Sequence, residues 1–103
     1  QKTVTSIGDY VSIAHNAIVH GCTIEDNVLI GMGAIVMDDA IVEDDVIIGA
    51  GSLVPPGKTL DSGYLYVGSP VKQARALNEA ERAFLAVSAA NYVVLKNDYL
   101  AEG

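Results

Sequence analysis

Two histidines and a nearby cysteine are the side chains of this sequence best suited to metal or acid–base chemistry. His15 and His20 lie five positions apart, and Cys22 follows two positions after the second histidine. Imidazole nitrogen and thiolate sulfur are common ligands of zinc, and a neutral imidazole also serves as a general base. What these groups can do together depends on the backbone that positions them.

A repeat of six residues surrounds the histidines and predicts that backbone. Aliphatic residues recur every six positions, with a single five-residue step after Val19; they are Ile7, Ile13, Val19, Ile24, Ile30, Val36, Val42, Ile48 and Val54. A period of six does not fit an amphipathic helix, which requires 3.6. It is typical of a β-solenoid in which three short strands and three corners make a triangular coil of about 18 residues. We therefore expect a solenoid of about three coils over residues 7–59.

The alternation of side chains along each strand predicts which residues face inward and which face outward. The predicted inward stacks are Ile7, Ile24 and Val42; Ile13, Ile30 and Ile48; and Val19, Val36 and Val54. Two outer rows are also largely apolar: Ser12, Leu29 and Ile47, and the row formed by Ile18, Ile35 and Leu53, called the apolar row below. Exposed apolar rows require cover. We expect the C-terminal segment of the chain to cover one row and a partner subunit to cover the other.

The C-terminal third predicts a connection followed by a helix. Pro55-Pro56-Gly57 is expected to end the repeat, because proline cannot donate to a β-ladder. Residues 60–77 are predicted to be a connection with turns such as Gly68-Ser69-Pro70. Asn78 and Glu81 resemble a capping box, which predicts a helix over residues 78–100 with an apolar stripe. That stripe contains Leu85, Ala89, Tyr92, Leu95 and Tyr99.

Composition restricts the class of protein. The chain of 103 residues is predicted to form a single domain, 1–103. Its net charge of −7 argues against nucleic acid as a partner, because phosphates would be repelled. No apolar run is long enough for a membrane span. A single cysteine cannot form an internal disulfide, which favours the cytoplasm.

Within one chain, the repeat predicts that His15 and His20 lie at neighbouring corners of the triangle. One side separates them, on the order of 12–15 Å at about 3.3 Å per residue, which is too far to share an ion. A threefold assembly removes the difficulty. If three chains turn the apolar row toward a common axis, the His15 corner of each chain abuts the His20 corner of the next. The spacing leaves open that both histidines are ordinary surface residues.

The segment from His15 to Cys22, its hexapeptide frame, Gly68-Ser69-Pro70 and the C-terminal helix resemble the γ-class carbonic anhydrase family, in particular its bacterial hexapeptide-repeat branch. The resemblance covers nearly the whole chain. It implies a mostly β fold, a left-handed parallel β-helix with a C-terminal α-helix, assembled as a homotrimer. It also implies zinc, or another divalent metal, at the trimer interfaces. The implied reaction is the reversible hydration of CO2 to bicarbonate by zinc-bound hydroxide.

The resemblance also implies the site residues. Three histidines bind zinc at each interface in that family, and His15 and His20 match two of them, from adjacent subunits. The third lies upstream of the matched segment, so the sequence resembles the C-terminal part of a member that lacks the N-terminal coils. A catalytic zinc usually has three protein ligands, so two histidines imply weaker binding and impaired turnover. Tyr92 matches a tyrosine near the family's active site, although packing in the helix stripe would also explain it.

Other polar groups near the histidines are better explained by structure. Cys22 could bind metal as a thiolate, but a small buried residue is the favoured interpretation. Several acidic residues could carry protons, but their corner positions favour a solvated rim; they are Asp38, Asp39, Glu43, Asp44 and Asp45.

Two further functions remain compatible with the sequence. Hexapeptide-repeat acyltransferases share the solenoid and use a histidine, here His20, as general base with an acyl-coenzyme A donor. No long loop interrupts the repeat to form an acceptor pocket, which argues against this function. The other alternative is a non-catalytic trimeric scaffold.

Overall fold

The computed structural model describes residues 4–87, in which short strands follow one another at regular intervals. In chain order they are Ser6–Ile7 (β1), Ser12–Ile13 (β2), Ile18–Val19 (β3), Thr23–Ile24 (β4), Val28–Ile30 (β5), Ile35–Val36 (β6), Ile41–Val42 (β7), Val46–Ile48 (β8), Leu53–Val54 (β9), Thr59–Leu60 (β10), Tyr64–Gly68 (β11) and Val71–Ala76 (β12). The first face contains β1, β4, β7 and β10, the second contains β2, β5, β8, β11 and β12, and the third contains β3, β6 and β9. The strands pair in parallel except β11 with β12. The predicted mostly β, parallel solenoid is confirmed.

The three predicted inward stacks are also confirmed by the register of the strands. Ile24 pairs with Ile7 above and Val42 below, and the stacks of the other two faces pair in the same way. Side chains of the second and third coils form the buried core, and Ile30 is 0% exposed. Ile13 belongs to the same stack but is 42% exposed. The difference arises because β2 lies at the edge of its sheet within the described residues.

The corners between faces each contain one residue in the left-handed conformation. Glycine, asparagine and aspartate adopt this conformation most readily, and they occupy all but one of these positions. The residues are Tyr10, Asn16, Gly21, Asn27, Gly33, Asp39, Asp45, Gly51, Gly57 and Gly63. Backbone hydrogen bonds join corresponding corners of successive coils. For example, the Gly33 N–H donates to the carbonyl of His15 at 3.0 Å.

The segment 60–77, predicted as a connection, instead continues the solenoid. Leu60 pairs below Val42 on the first face, and β11 pairs in parallel with β8 before turning back into β12. Pro55 and Pro56 do not end the repeat because they lie in the corner between β9 and β10. The hydrogen bonds between coils on either side of this corner need no proline N–H. They run from the N–H groups of Met37 and Ile41 to the carbonyls of Val54 and Lys58.

A helix, α1, begins at residue 79 and continues to residue 87, the end of the described chain. The predicted capping box is confirmed: Glu81 N–H donates to Oδ1 of Asn78 at 2.8 Å, and Asn78 N–H donates to Oε1 of Glu81 at 3.0 Å. Arg75 adds two bonds to the Glu81 carboxylate. Leu85 of the predicted stripe is buried, whereas Ala89, Tyr92, Leu95 and Tyr99 lie outside the described residues. Within residues 4–87, no helix has the length and apolar character needed to cross a membrane.

Candidate metal and acid–base site

His20 lies in the corner between β3 and β4. This corner is one residue shorter than the corner between β6 and β7 in the next coil. Four residues separate the inward side chains of Val19 and Ile24, whereas five separate Val36 and Val42. Both pairs nevertheless remain in register with each other. The first corner therefore omits one backbone position that the second corner contains.

Counted from the left-handed residues, His20 and Asp38 take equivalent places in the two corners. Gly21 and Asp39 are the left-handed residues of the two corners, with φ of 64° and 63°, and the Asp39 N–H donates to the Gly21 carbonyl at 2.7 Å. The residue before each of them is His20 in the first corner and Asp38 in the second. The His20 N–H donates to the Val36 carbonyl at 3.2 Å, as expected of a residue paired with Met37. The omitted position therefore lies after His20, and the imidazole reaches the carboxylate of Asp38 diagonally.

A hydrogen bond joins these two side chains. Nδ1 of His20 lies 2.8 Å from Oδ1 of Asp38. An ionised carboxylate can only accept hydrogen bonds, so this pairing assigns the proton of the neutral imidazole to Nδ1. Nε2 then retains its lone pair. A lone pair at Nε2 can bind a metal ion or accept a proton from a substrate.

A groove of ≈ 190 Å³ opens beside the pair on the third face. Ile18 and Ile35 of the apolar row line it, together with Met37 and Pro56. His20 and Asp38 are the polar members of the lining. A mostly apolar wall next to a fixed imidazole is suited to a small, weakly polar molecule.

His15 lies at the other end of β3, at the corner between the second and third faces. Its side chain is exposed, and its carbonyl accepts the Gly33 N–H. The two histidines therefore flank β3 at different corners. Within residues 4–87, no group of three His, Cys, Asp or Glu side chains comes together in one chain.

Cys22 faces the core rather than the groove. Its side chain is buried, and this burial raises the pKa of the thiol above its usual value. A protonated thiol in an apolar core is a poor metal ligand. The favoured interpretation of Cys22, a small buried residue, therefore agrees with its position.

The acidic residues of the first-face corner mostly brace the backbone. Oδ1 of Asp26 accepts the Asp9 N–H at 2.7 Å, and Oδ1 of Asp44 accepts the Asp26 N–H at 2.7 Å. Asp38 differs from these residues because it contacts an imidazole. The sequence analysis placed Asp38 in a solvated rim and missed this contact. The five-residue step from Val19 to Ile24 is the signal that could have revealed it.

A match to a family model supports the fold of the repeat. A family model described as bacterial transferase hexapeptide, six repeats, matches residues 21–56. This repeat forms the left-handed β-helix that the family resemblance implied, and the three mostly parallel sheets are consistent with it.

Curated proteins and a solved structure extend the similarity to most of the chain. Protein YrdA of Escherichia coli (strain K12) is 59% identical over 98 residues, which are 95% of this chain and 53% of that protein. Gamma carbonic anhydrase 1, mitochondrial, of Arabidopsis thaliana is 43% identical over 98 residues, which are 95% of this chain and 36% of that protein. The crystal structure of a hexapeptide transferase family protein from Anaplasma phagocytophilum matches with a TM-score of 0.86 and 44% identity, covering 92% of this chain and 57% of that one.

The chain spans about half of the YrdA sequence and about a third of the plant sequence. A span of 98 residues includes the repeat, the histidine segment and the hairpin that follows. The predicted resemblance is thereby confirmed, and the chain is a hexapeptide-repeat protein related to the γ-class carbonic anhydrases.

Proposed function

We propose that this protein is a γ-carbonic-anhydrase-like metalloprotein that catalyses the reversible hydration of CO2 at the interfaces of a homotrimer. In this proposal His15 of one chain and His20 of the next hold a zinc ion or another divalent metal. The observation that carries the proposal is the His20–Asp38 hydrogen bond, which leaves Nε2 of His20 with a lone pair. Similarity to a γ carbonic anhydrase over 95% of the chain supports the same function.

The donor set is chemically suited to such a metal. Neutral imidazole nitrogens bind zinc, cobalt, nickel and iron well. Within residues 4–87 of one chain, no three ligand side chains come together, and in this proposal the neighbouring chain supplies the other histidine. When bound, the metal supplies a water of lowered pKa as the nucleophile toward CO2.

The protein's own residues would bind, orient and exclude water. His15 and His20 provide the ligand nitrogens, and Asp38 fixes the imidazole ring of His20. Ile18 and Ile35 provide an apolar wall of the groove next to it. Tyr92 lies outside the described residues, and we propose it as a further active-site residue on the family resemblance alone.

The assembly and the location are part of the proposal. The apolar row is largely uncovered in a single chain, because Ile18 is 55% exposed and Ile35 is partly exposed. A threefold arrangement through this row would bury it and bring the two histidine corners together. We also propose a cytoplasmic location, because the one cysteine is a free, buried thiol.

Zinc titration of the 103-residue chain tests the metal site directly. Wild type, His15→Ala and His20→Ala are compared by calorimetry, with Thr59→Ala, an exposed residue of the first face, as the matched control. We expect each histidine variant to bind zinc more weakly and the control to bind like wild type. Equal zinc affinity in all four proteins would show that the histidines do not form a metal site.

A second candidate function is acyl transfer. The same His20–Asp38 pair is the arrangement that orients a general base, with Asp38 holding Nδ1–H and Nε2 accepting a proton. The repeat over residues 21–56 matches a family named for transferases. The substrates would be an acyl-coenzyme A donor and an acceptor hydroxyl or amine.

Metal dependence separates the candidates. A CO2 hydration rate that falls on addition of a chelator and returns with zinc supports the first function. Release of free coenzyme A that is insensitive to chelator and is lost in His20→Ala supports the second. A trimer that shows neither activity would be the non-catalytic scaffold.

A further inference from the structure

We infer that Asp38 is the positioning residue of His20. It fixes the imidazole in the Nδ1–H tautomer and thereby reserves Nε2 for the metal. This inference rests on the proposed function, because it assigns a role to Asp38 within the same site.

Backbone hydrogen bonds hold the corner that contains His20 on both sides, so the fold itself determines how closely His20 approaches Asp38. The Gly21 N–H donates to Oγ1 of Thr5 at 2.7 Å, and the Gly21 carbonyl accepts the Asp39 N–H at 2.7 Å. The His20 N–H donates to the carbonyl of Val36 at 3.2 Å. The Cα atoms of His20 and Asp38 are therefore fixed relative to each other by bonds that their side chains do not make.

The side-chain bond then restricts an imidazole that is otherwise free to rotate. The side chain of His20 is 71% exposed and that of Asp38 is 47% exposed. Within residues 4–87, the hydrogen-bond partner of the imidazole is the Asp38 carboxylate. Without this bond, the ring would have no partner to select its orientation or its tautomer.

The pairing has the form of a carboxylate that supports a metal-binding histidine. Such outer partners orient the ring, fix the tautomer and increase the basicity of the ligand nitrogen. Their removal typically lowers metal affinity about 10–100-fold. We expect a loss of that size when the Asp38 carboxylate is removed.

The first measurement uses metal-free protein, so it is independent of the proposed metal function. Long-range 1H–15N NMR correlations report which imidazole nitrogen carries the proton. The spectra are recorded at about pH 8.5, roughly two units above the usual imidazole pKa of about 6.5. We expect Nδ1–H for His20 in wild type and a shift toward Nε2–H in Asp38→Ala. Predominant Nε2–H in wild type, or identical spectra in the two proteins, would overturn the inference.

The second measurement is zinc affinity, with a control matched in charge. Asp38→Ala and Asp39→Asn each remove one negative charge from the same corner, but only Asp38 contacts His20. We expect zinc to bind about 10–100-fold more weakly to Asp38→Ala and nearly unchanged to Asp39→Asn. An equal loss in both variants would reveal a general charge effect and would overturn the positioning role.

The two measurements separate failure of the inference from failure of the proposed function. If His20→Ala binds zinc like wild type, the metal function fails, whatever the tautomer of His20. If the tautomer changes as expected but zinc affinity does not fall in Asp38→Ala, the positioning role fails and the metal site stands. Circular dichroism of each variant verifies that the solenoid is retained, as expected because the Asp38 carbonyl still accepts the Gly57 N–H.

Discussion

Ile35 lies directly below Ile18 on the third face, paired in register through β3 and β6, and Leu53 continues the column through β9. Their side chains point away from the core, and Ile18 is 55% exposed. A column of three large aliphatic side chains on a protein of net charge −7 is an unusual surface for a monomer. The histidine corners flank this same column, so its cover and the proposed metal site are linked.

Ile35→Glu tests that link. A glutamate in the middle of the column would be unpaired in a buried interface, which is strongly destabilising. We expect monomers or insoluble protein in size-exclusion chromatography with light scattering. Ile41→Glu is the matched control, since Ile41 occupies an exposed outer position on the first face. An unchanged trimer in Ile35→Glu would show that the interface lies elsewhere.

The core of the solenoid offers a second test, based on two members of one stack. Ile30 is fully buried, whereas Ile13 of the edge coil is partly exposed. We expect Ile30→Ala to lower the free energy of unfolding by about 2–5 kcal/mol, because it removes buried methyl groups and leaves a cavity. Ile13→Ala should cost clearly less. Urea denaturation measures both; equal losses would mean that Ile13 is covered in solution.

The sequence predicted the repeat, the inward stacks and the capping box because each depends on local spacing. A parallel solenoid pairs each residue with the one a coil later. Three steps of the repeat, the last of them one residue short, therefore determine the register of Ile7 with Ile24 without any long-range information. The capping box of Asn78 and Glu81 is even more local. These features follow from side-chain alternation and hydrogen bonding within a few residues.

The features that the sequence analysis missed depend on relations between coils. Segment 60–77 looked like a connection because two prolines precede it, yet Leu60 and Tyr66 continue the spacing of six after Val54, and β11 pairs with β8. The contact of Asp38 with His20 required noticing that one corner is a residue short. Which surface buries the apolar row depends on other chains. The repeat within one chain does not identify that surface.

Burial of Cys22 predicts a pH dependence of stability. Burial raises the pKa of this thiol in the folded protein above the value of about 9.0 at which it ionises in the unfolded chain. The protonated thiol is therefore favoured by folding. Its contribution to stability is fully present below pH 9.0 and is lost as the pH rises through the higher folded pKa.

Cys22→Ala isolates this contribution. We expect the urea midpoint of wild type to fall more between about pH 8 and about pH 10 than that of the variant, because only wild type has a thiol that ionises on unfolding. Comparison within the pair removes the effect of Tyr66, whose pKa is also raised by burial. The same slope in both proteins would mean that the thiol ionises equally in the folded and unfolded states.

The shortened corner provides the last test, because the residue that it omits would lie between His20 and Gly21, next to Asp38. Insertion of one alanine between His20 and Gly21 would give this corner the length of the one that follows Val36. His20, whose N–H already donates to the Val36 carbonyl, should stay opposite Met37, and the alanine should lie opposite Asp38 and separate the imidazole from the carboxylate. We expect the solenoid to remain folded, since the later coils already use the longer corner.

In this insertion variant, the NMR signature of Nδ1–H on His20 should disappear, and zinc should bind about 10–100-fold more weakly, as expected for loss of the carboxylate partner. An alanine inserted between Asp26 and Asn27 is the control, because that corner already has its full length and should instead lose stability in thermal denaturation. If the first insertion leaves the tautomer of His20 and the zinc affinity unchanged, the short corner is not what brings the imidazole to Asp38.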